Sequence, residues 1–459
     1  MLINHFVNTC RQYPNKTTLI DANTRESLTY GQLFSAVQKL SAHISAATHS
    51  PHIGLLLPNS KEFVITALAI LYSGKTIVPI HYFLSQPEIA AIIKDAGIEI
   101  LITPDYLKTV DWNITALPEP KEISNHLAAI LYTSGTCGEP KGVMLTEQNL
   151  LSNIIAMRDA IKLENYTVLS ILPFSHGFGF TCGLLSPMLL GYTMVALARF
   201  NPMQVLETID KYNGTVFLTV PSIYRALLRV PGDNQSIRKI LLPISGGEAL
   251  PRDVAEEFIK KFNLNILEGY GLTETSPVVT INTREDFKSG TVGKPLKDVT
   301  VKTATDGEIW VKGPNVMAGY YQKPLLTNQI ITADGWFQTG DLGRLDADGF
   351  LSITGRKKEL IISGGENILP SEIENILIGH PFITECAVIG VPDKARGEVP
   401  KAFVVSKPGI TVTTEEIKEF CRGRLANIKI PSHIEFRAEL PHGPTGKILK
   451  KLLKQPPSC

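Results

Sequence analysis

The chain has 459 residues, with 45 Lys+Arg against 44 Asp+Glu and a formal net charge of +1. Hydrophobic residues make up 44% and charged residues 19%, which excludes a disordered chain and leaves neither the basic excess of a nucleic-acid binder nor an acidic tail. The six cysteines, at 10, 137, 182, 386, 421 and 459, form no CxxC pair, which excludes a zinc ribbon, argues against a disulfide framework and makes a reducing cytoplasm the expected compartment.

At about 150 residues per domain the length corresponds to about three domain-sized units. The opening MLINHFVNTCRQYPNK has no basic stretch followed by an apolar run, so no secretory signal is expected. Residues 30–46 (YGQLFSAVQKLSAHISA) carry apolar side chains at helical spacing. Strand 52–57 (HIGLLL), helix 62–72, strand 75–80, helix 87–95 and strand 98–102 follow, an alternation that implies parallel βαβ units. The pattern resumes after a loop at 111–125, with strands expected at 168–172, 193–198, 215–220 and 240–244. The most apolar stretch, 180–198, contains Gly183, Pro187 and Gly191. Those breakers make it a buried helix, a turn at 190–192 and a strand rather than a membrane span. Peripheral membrane contact stays open.

Near residue 285 the character changes. Residues 290–346 are rich in glycine and short alternating segments, which reads as a β-rich unit. After Arg356 an α/β pattern returns, with helices at 371–377 and 415–424 and strands at 385–389 and 401–405.

Three phosphate-binding fingerprints fail on inspection. Gly74-Lys75 lacks the earlier glycine of a Walker A loop, since position 69 is Ala. Gly269 and Gly271 are followed by Glu274, and Gly177 and Gly179 by Cys182, where a dinucleotide loop needs a third glycine. Neither GxSxG nor HExxH occurs.

Residues 131–142 read LYTSGTCGEPKG. A strand end runs into hydroxyls at Thr133, Ser134 and Thr136, glycines at Gly135, Gly138 and Gly142, and one cation, Lys141. Glycines let backbone N–H groups close on phosphate oxygens, hydroxyls add donors and lysine adds charge. A generic Ser/Thr/Gly stretch is more often a polar turn. Here the order of residues is itself specific.

That order resembles the phosphate loop of adenylate-forming, AMP-binding acyl-CoA synthetases, close to YTSGTTGxPKG. Other segments resemble that family's motifs in the same chain order: 172–179 (LPFSHGFG), 245–249 (SGGEA), 268–274 (EGYGLTE), 335–343 (GWFQTGDLG), 355–374 (GRKKELIISGGENILPSEIE) and 444–447 (PTGK). The resemblance spans nearly the whole chain and is nearest to fatty acyl-CoA ligases. Cys137 departs from it, standing where the family usually has Thr, and the loop before residue 131 is short.

The resemblance implies an α/β fold. Its large N-terminal domain, 1–355, would hold two α/β subdomains and a small β-barrel-like subdomain. A small, mobile α+β C-terminal domain, 359–459, would follow a hinge near 356–358 centred on Lys358. It implies an acid–thiol ligase that uses ATP, Mg2+ and coenzyme A. A carboxylic acid, expected to be fatty, becomes acyl-AMP with release of pyrophosphate, and the acyl group then passes to CoA with release of AMP. An aryl-CoA ligase, or a ligase loading an acyl carrier protein, are the alternatives. No nucleic-acid partner is expected.

The resemblance also distributes roles. Thr133, Ser134, Gly135, Thr136, Cys137, Gly138 and Lys141 would hold the phosphates. Glu274, with Thr136, would hold the metal. Thr273 would contact the α-phosphate. Gly246, Gly247, Glu248, Glu268, Gly269, Tyr270 and Gly271 would surround the adenine, and Asp341 and Arg356 the ribose. Lys447 would bridge carboxylate and α-phosphate, and His176 would stand beside the acyl carboxylate. Gly364, Gly365 and Glu366 would meet the thiol. Phe178, Phe180, residues 219–224 with Tyr224, and Gly246 are the expected acyl-pocket residues, since a mostly apolar wall suits an alkyl or aryl acid.

Overall fold

The computed structural model describes residues 2–115, 117–120, 127–134, 140–162, 166–443 and 448–454. It divides into two compact units, the first made of Met1–Leu250, Val254–Val301 and Val311–Phe337, the second of Pro251–Asp253, Lys302–Trp310 and Gln338–Cys459.

The first unit holds two mostly parallel sheets. In the larger, nine-stranded path, Thr17–Asp21, Thr193–Ala196, Thr167–Ser170, Val216–Thr219, Leu242–Ser245 and Leu267–Gly271 run parallel in that spatial order. Short antiparallel strands flank them on both sides. In the six-stranded sheet Ile100–Ile102, His52–Leu55, Thr76–Pro79 and Leu127–Ser134 are parallel. Pro140–Thr146 and Gly319–Tyr320 then add antiparallel strands. Both sheets are built from the alternating runs seen in the sequence, because a parallel crossover needs a helix to return the chain.

Helix Tyr30–Ala47 illustrates how the sequence sets an element. Thr29 accepts from the backbone of Gln32, whose side chain returns to the Thr29 N–H, a capping box. Leu33, Val37, Leu40 and Ile44 are fully buried at three- and four-residue spacing. The core over one face of the larger sheet gathers Leu169, Val195, Phe217, Tyr224, Phe258 and Phe262.

Residues 180–198 fold much as expected. A π-helical turn, Gly179–Leu185, leads into helix Ser186–Leu190, Gly191 caps it in the left-handed region, and strand Thr193–Ala196 follows. No helix among the described residues is long and apolar enough to cross a membrane.

The second unit contains most of a four-stranded sheet, whose strands are Thr300–Thr303, Glu308–Lys312, Phe337–Leu345 and Leu351–Arg356 in that order, and a five-stranded sheet built on the long antiparallel pair Ile383–Asp393 and Gly397–Ser406. Helices Pro370–Ile378 and Thr414–Cys421 contribute Ile373, Leu377, Ile417 and Cys421 to its core. Within this unit Asp341 to Leu345 pair with Arg356 back to Leu351, so the strand that carries Asp341 is registered against the strand that ends at Arg356.

Candidate active site

Four motif segments of the first unit meet at the C-terminal ends of its parallel strands. Strand Leu242–Ser245 opens into Gly246, whose N–H donates to the Thr219 carbonyl at 3.1 Å. A Cβ built on Gly246 would lie 3.1 Å from Cε1 of Phe178, so the bare backbone leaves room for that ring. A Cβ on Gly177 would lie 3.3 Å from Oγ1 of Thr273. Segment 176–179 thus lies against both Gly246 and Thr273. Gly271 is required sterically, since a Cβ there would stand 1.8 Å from the Pro277 carbonyl oxygen.

Glu274 follows in the 3-10 turn Thr273–Thr275. Its Oε1 accepts the Tyr320 hydroxyl at 2.8 Å, and its carbonyl accepts the Met317 N–H at 2.9 Å. Burial first, and then the neighbouring Glu274 carboxylate, push the Tyr320 hydroxyl far above the usual phenol range, which keeps it a donor. The Lys141 ammonium stands over the Tyr320 ring, 5.3 Å from its centroid. Lys141 is in turn the cross-strand partner of Thr133. The 317–321 segment is held there by backbone pairing, with Ala318 N–H on Met144 and Tyr321 N–H on Gly142. Tyr320 was not singled out in the sequence, and the Gly319-Tyr320 dipeptide gives no local sign of its partner.

His176 is exposed, and its Nδ1 accepts the Phe178 N–H at 3.4 Å. The Glu268 carboxyl is pushed up to about 7 by burial, against which the Leu250 N–H pulls it down. Tyr270 and Gly269 lie on strand Leu267–Gly271 opposite Thr280 and Ile281. Gly247 takes a left-handed φ of 81°, and Glu248 is half-buried.

Two expected pocket residues part company here. Phe178 is half-buried beside Gly246, whereas Tyr224 is 0% exposed and belongs to the core. The Tyr224 hydroxyl donates to the carbonyls of Phe217 and Ile244 at 3.1 and 3.2 Å, and its ring packs edge-on to Phe217 and Phe258. Those contacts account for Tyr224 as packing. Phe180 is likewise fully buried in the π-helical turn.

In the second unit, Asp341 is buried and its Oδ1 receives Nε of Arg356 at 2.9 Å, so the two expected ribose residues form an ion pair. Lys358 is exposed in the turn Lys357–Glu359. Gly364 and Gly365 form the two-residue tip of the hairpin Ile361–Ser363/Glu366–Ile368, with φ of 58° and 88°. Positive φ at both positions is what such a turn demands. Glu366 begins the return strand and is exposed. Gly135, Thr136, Cys137, Gly138 and Lys447 lie outside the described residues, as does the side chain of Ser134.

Among the described residues, no group of three His, Cys, Asp or Glu gathers as a resident metal cage would. A single carboxylate such as Glu274 fits Mg2+ brought in on phosphate oxygens, the usual arrangement for that ion.

The chain matches the AMP-binding enzyme family over residues 6–321 and the AMP-binding enzyme C-terminal domain over 372–447. It is 34% identical to a long-chain-fatty-acid–CoA ligase of Bacillus subtilis, over 96% of this chain and 92% of that protein. It is also 34% identical to a feruloyl-CoA synthase of Amycolatopsis, over 97% and 96% of the two chains. The o-succinylbenzoate CoA synthetase of Bacillus subtilis, solved in complex with its acyl-adenylate intermediate, superposes with a TM-score of 0.88 at 30% identity, covering 99% of this chain and 98% of that one. The same enzyme solved with ATP and magnesium ion gives 0.86 at 30% identity, covering 98% and 99%.

Proposed function

This chain belongs to the AMP-binding enzyme family, in its adenylate-forming CoA ligase branch, and on that premise we propose that it joins an apolar, fatty-type carboxylic acid to coenzyme A through acyl-AMP. In the first step a carboxylate oxygen attacks the α-phosphorus of ATP, the bond to the β-phosphate bridging oxygen breaks, and pyrophosphate leaves. In the second the CoA thiol, losing its proton, attacks the acyl carbon; the carbon–oxygen bond to the phosphate breaks and AMP leaves.

The observation that carries this reading is the meeting of Lys141, Tyr320 and Glu274 beside Thr273, which in turn lies against the 176–179 segment. One end of that array is cationic and carries a carboxylate for a phosphate-bound cation; the other ends in the Phe178 ring. An anion attacking an anion needs its charge neutralised at the reacting phosphorus. Lys141 and the residues of the phosphate loop supply positive charge and donors. Mg2+, when bound, would draw charge from the phosphate oxygens, with Glu274 as its protein ligand. In this reading Thr273 would donate to the α-phosphate, Asp341 and Arg356 would take the ribose, and Lys447 would bridge the two reacting groups, the roles the family resemblance gives them.

An apolar acid is favoured because Phe178 faces the bare backbone of Gly246. The named relatives handle a long-chain fatty acid, feruloyl and o-succinylbenzoate groups, so relatedness alone leaves the acid open. Acid-dependent AMP release over C2–C18 and aromatic acids, with CoA or with a holo-carrier protein as acceptor, tests the reading. Release is expected to peak on an alkyl acid with CoA. Release with carrier protein alone would overturn the CoA assignment, and a peak on aromatic acids the fatty one.

A further inference from the structure

Glu308 is an unusual residue to find inside a strand. It opens strand Glu308–Lys312, its side chain is 7% exposed, and a buried carboxylate survives only where its charge is answered. Two groups answer it. Oε1 accepts the backbone N–H of Gly340 at 3.0 Å, and Oε2 receives the Lys357 ammonium at 3.0 Å. Lys357 also reaches Oδ2 of Asp306 at 2.7 Å.

Both partners sit beside groups already placed at the ribose. Gly340 precedes Asp341 and takes a left-handed φ of 71°, which turns its N–H out of the strand ladder toward Glu308. Thr339 donates to the Ile309 carbonyl at 2.7 Å and accepts the Asp341 N–H at 3.1 Å. The turn that presents Asp341 is therefore fastened at Glu308 and at Ile309. Lys357 lies between Arg356, whose Nε holds the Asp341 carboxylate, and Lys358, the expected hinge residue. One carboxylate thus links the turn before Asp341 to the segment after Arg356.

We propose that Glu308 is a positioning residue for adenylation: it fixes the Thr339–Gly340–Asp341 turn for the nucleotide ribose and, through Lys357, couples that turn to the 356–358 segment. The inference rests on the reading of Asp341 and Arg356 as ribose ligands. Glu308 itself touches no substrate. It acts because a charge-assisted bond to a backbone N–H is stronger and more directional than a neutral one. The Lys357 ammonium on Oε2 keeps the carboxylate aimed.

The test is a double-mutant cycle on the full chain, reading adenylation (ATP, Mg2+ and acid, pyrophosphate released) and, separately, thioester formation from supplied acyl-AMP. Glu308→Gln is expected to raise the KM for ATP about tenfold, the worth of one hydrogen bond to a charged group, with a much smaller change in kcat. Lys357→Met is expected to raise it several-fold, Lys357→Arg to restore it, and the double variant to be no worse than Glu308→Gln alone. Effects that simply add, or kcat falling equally in both half-reactions with no rescue by arginine, would overturn the coupling and leave a general folding role. Asp341→Asn serves as the control. If it raises the KM for ATP while Glu308→Gln does not, this inference fails and the ribose assignment stands. If Asp341→Asn leaves the KM unchanged, the ribose assignment itself fails.

Discussion

The Tyr320 hydroxyl donates to Oε1 of Glu274 across 2.8 Å, although the two residues lie 46 positions apart. The bond fixes one face of the carboxylate and leaves it a second oxygen to offer a cation. Tyr320→Phe removes the donor and keeps the ring that lies under Lys141. Its kcat/KM for adenylation is expected to fall about tenfold, with a higher Mg2+ concentration needed for half-maximal rate. Pyrophosphate release measured against added Mg2+ checks this; an unchanged Mg2+ requirement would separate Tyr320 from the metal ligand.

Gly246 marks where the acid is expected to enter. A Cβ at 3.1 Å from the Phe178 ring already forces that ring to move, and valine adds two methyl groups beyond it. Gly246→Val is expected to lower kcat/KM about tenfold or more for the longest accepted acid and far less for a C2–C4 acid. An even loss across an acid panel would place the pocket elsewhere.

Tyr224 and Phe178 should separate under mutation. Removing the Tyr224 hydroxyl leaves two buried carbonyls, on Phe217 and Ile244, short of a donor. Tyr224→Phe is expected to cost about 1–2 kcal/mol of stability and to leave the order of preferred acids unchanged. Denaturant unfolding together with the acid panel reads both. A shift in preferred chain length would return Tyr224 to the pocket wall.

Glu268 gives stability a pH dependence of known sign. Its carboxyl is pushed up to about 7 in the folded chain, against an ordinary value near 4.5. Neutral below pH 4.5 in both states, it costs nothing there. Between about pH 4.5 and 7 the unfolded chain ionises while the folded one resists, so stability drains away and stays lower above 7. Glu268→Gln lacks this titration. The variant's Tm minus that of the wild type is therefore expected to be larger at pH 8 than at pH 5. A difference that does not move with pH would contradict the assignment.

Local signals in the chain carried the elements well. The helical apolar spacing of 30–46 becomes helix Tyr30–Ala47, and the short apolar runs 52–57 and 75–80 become the parallel strands His52–Leu55 and Thr76–Pro79. The motif segments were legible because their residue order is specific over several positions. What stayed hidden depends on long-range pairing. Tyr320 reaches Glu274 only because Gly319–Tyr320 pairs with Val143 and Met144, far back in the chain. Glu308 meets Gly340 across a strand pair that no local pattern announces. Tyr224 is a question of facing: in helix Pro221–Leu228 the side chains of Pro221, Tyr224, Leu227 and Leu228 share the buried side, and spacing alone does not say which surface that side meets. The pairing of Asp341 with Arg356 likewise depends on strand register, which the motifs at 335–343 and 355–374 do not reveal.

The most direct measurement runs the two half-reactions separately in the wild type and in Lys447→Ala. With ATP, Mg2+ and an alkyl acid but no thiol, the wild type is expected to accumulate acyl-AMP and release one pyrophosphate per acid, and added CoA is expected to convert it to thioester and AMP. Lys447→Ala is expected to form no acyl-AMP while still making thioester from acyl-AMP supplied ready-made. Pyrophosphate release that needs CoA from the outset, or a wild type that yields ADP and phosphate in place of AMP and pyrophosphate, would contradict an acyl-adenylate route.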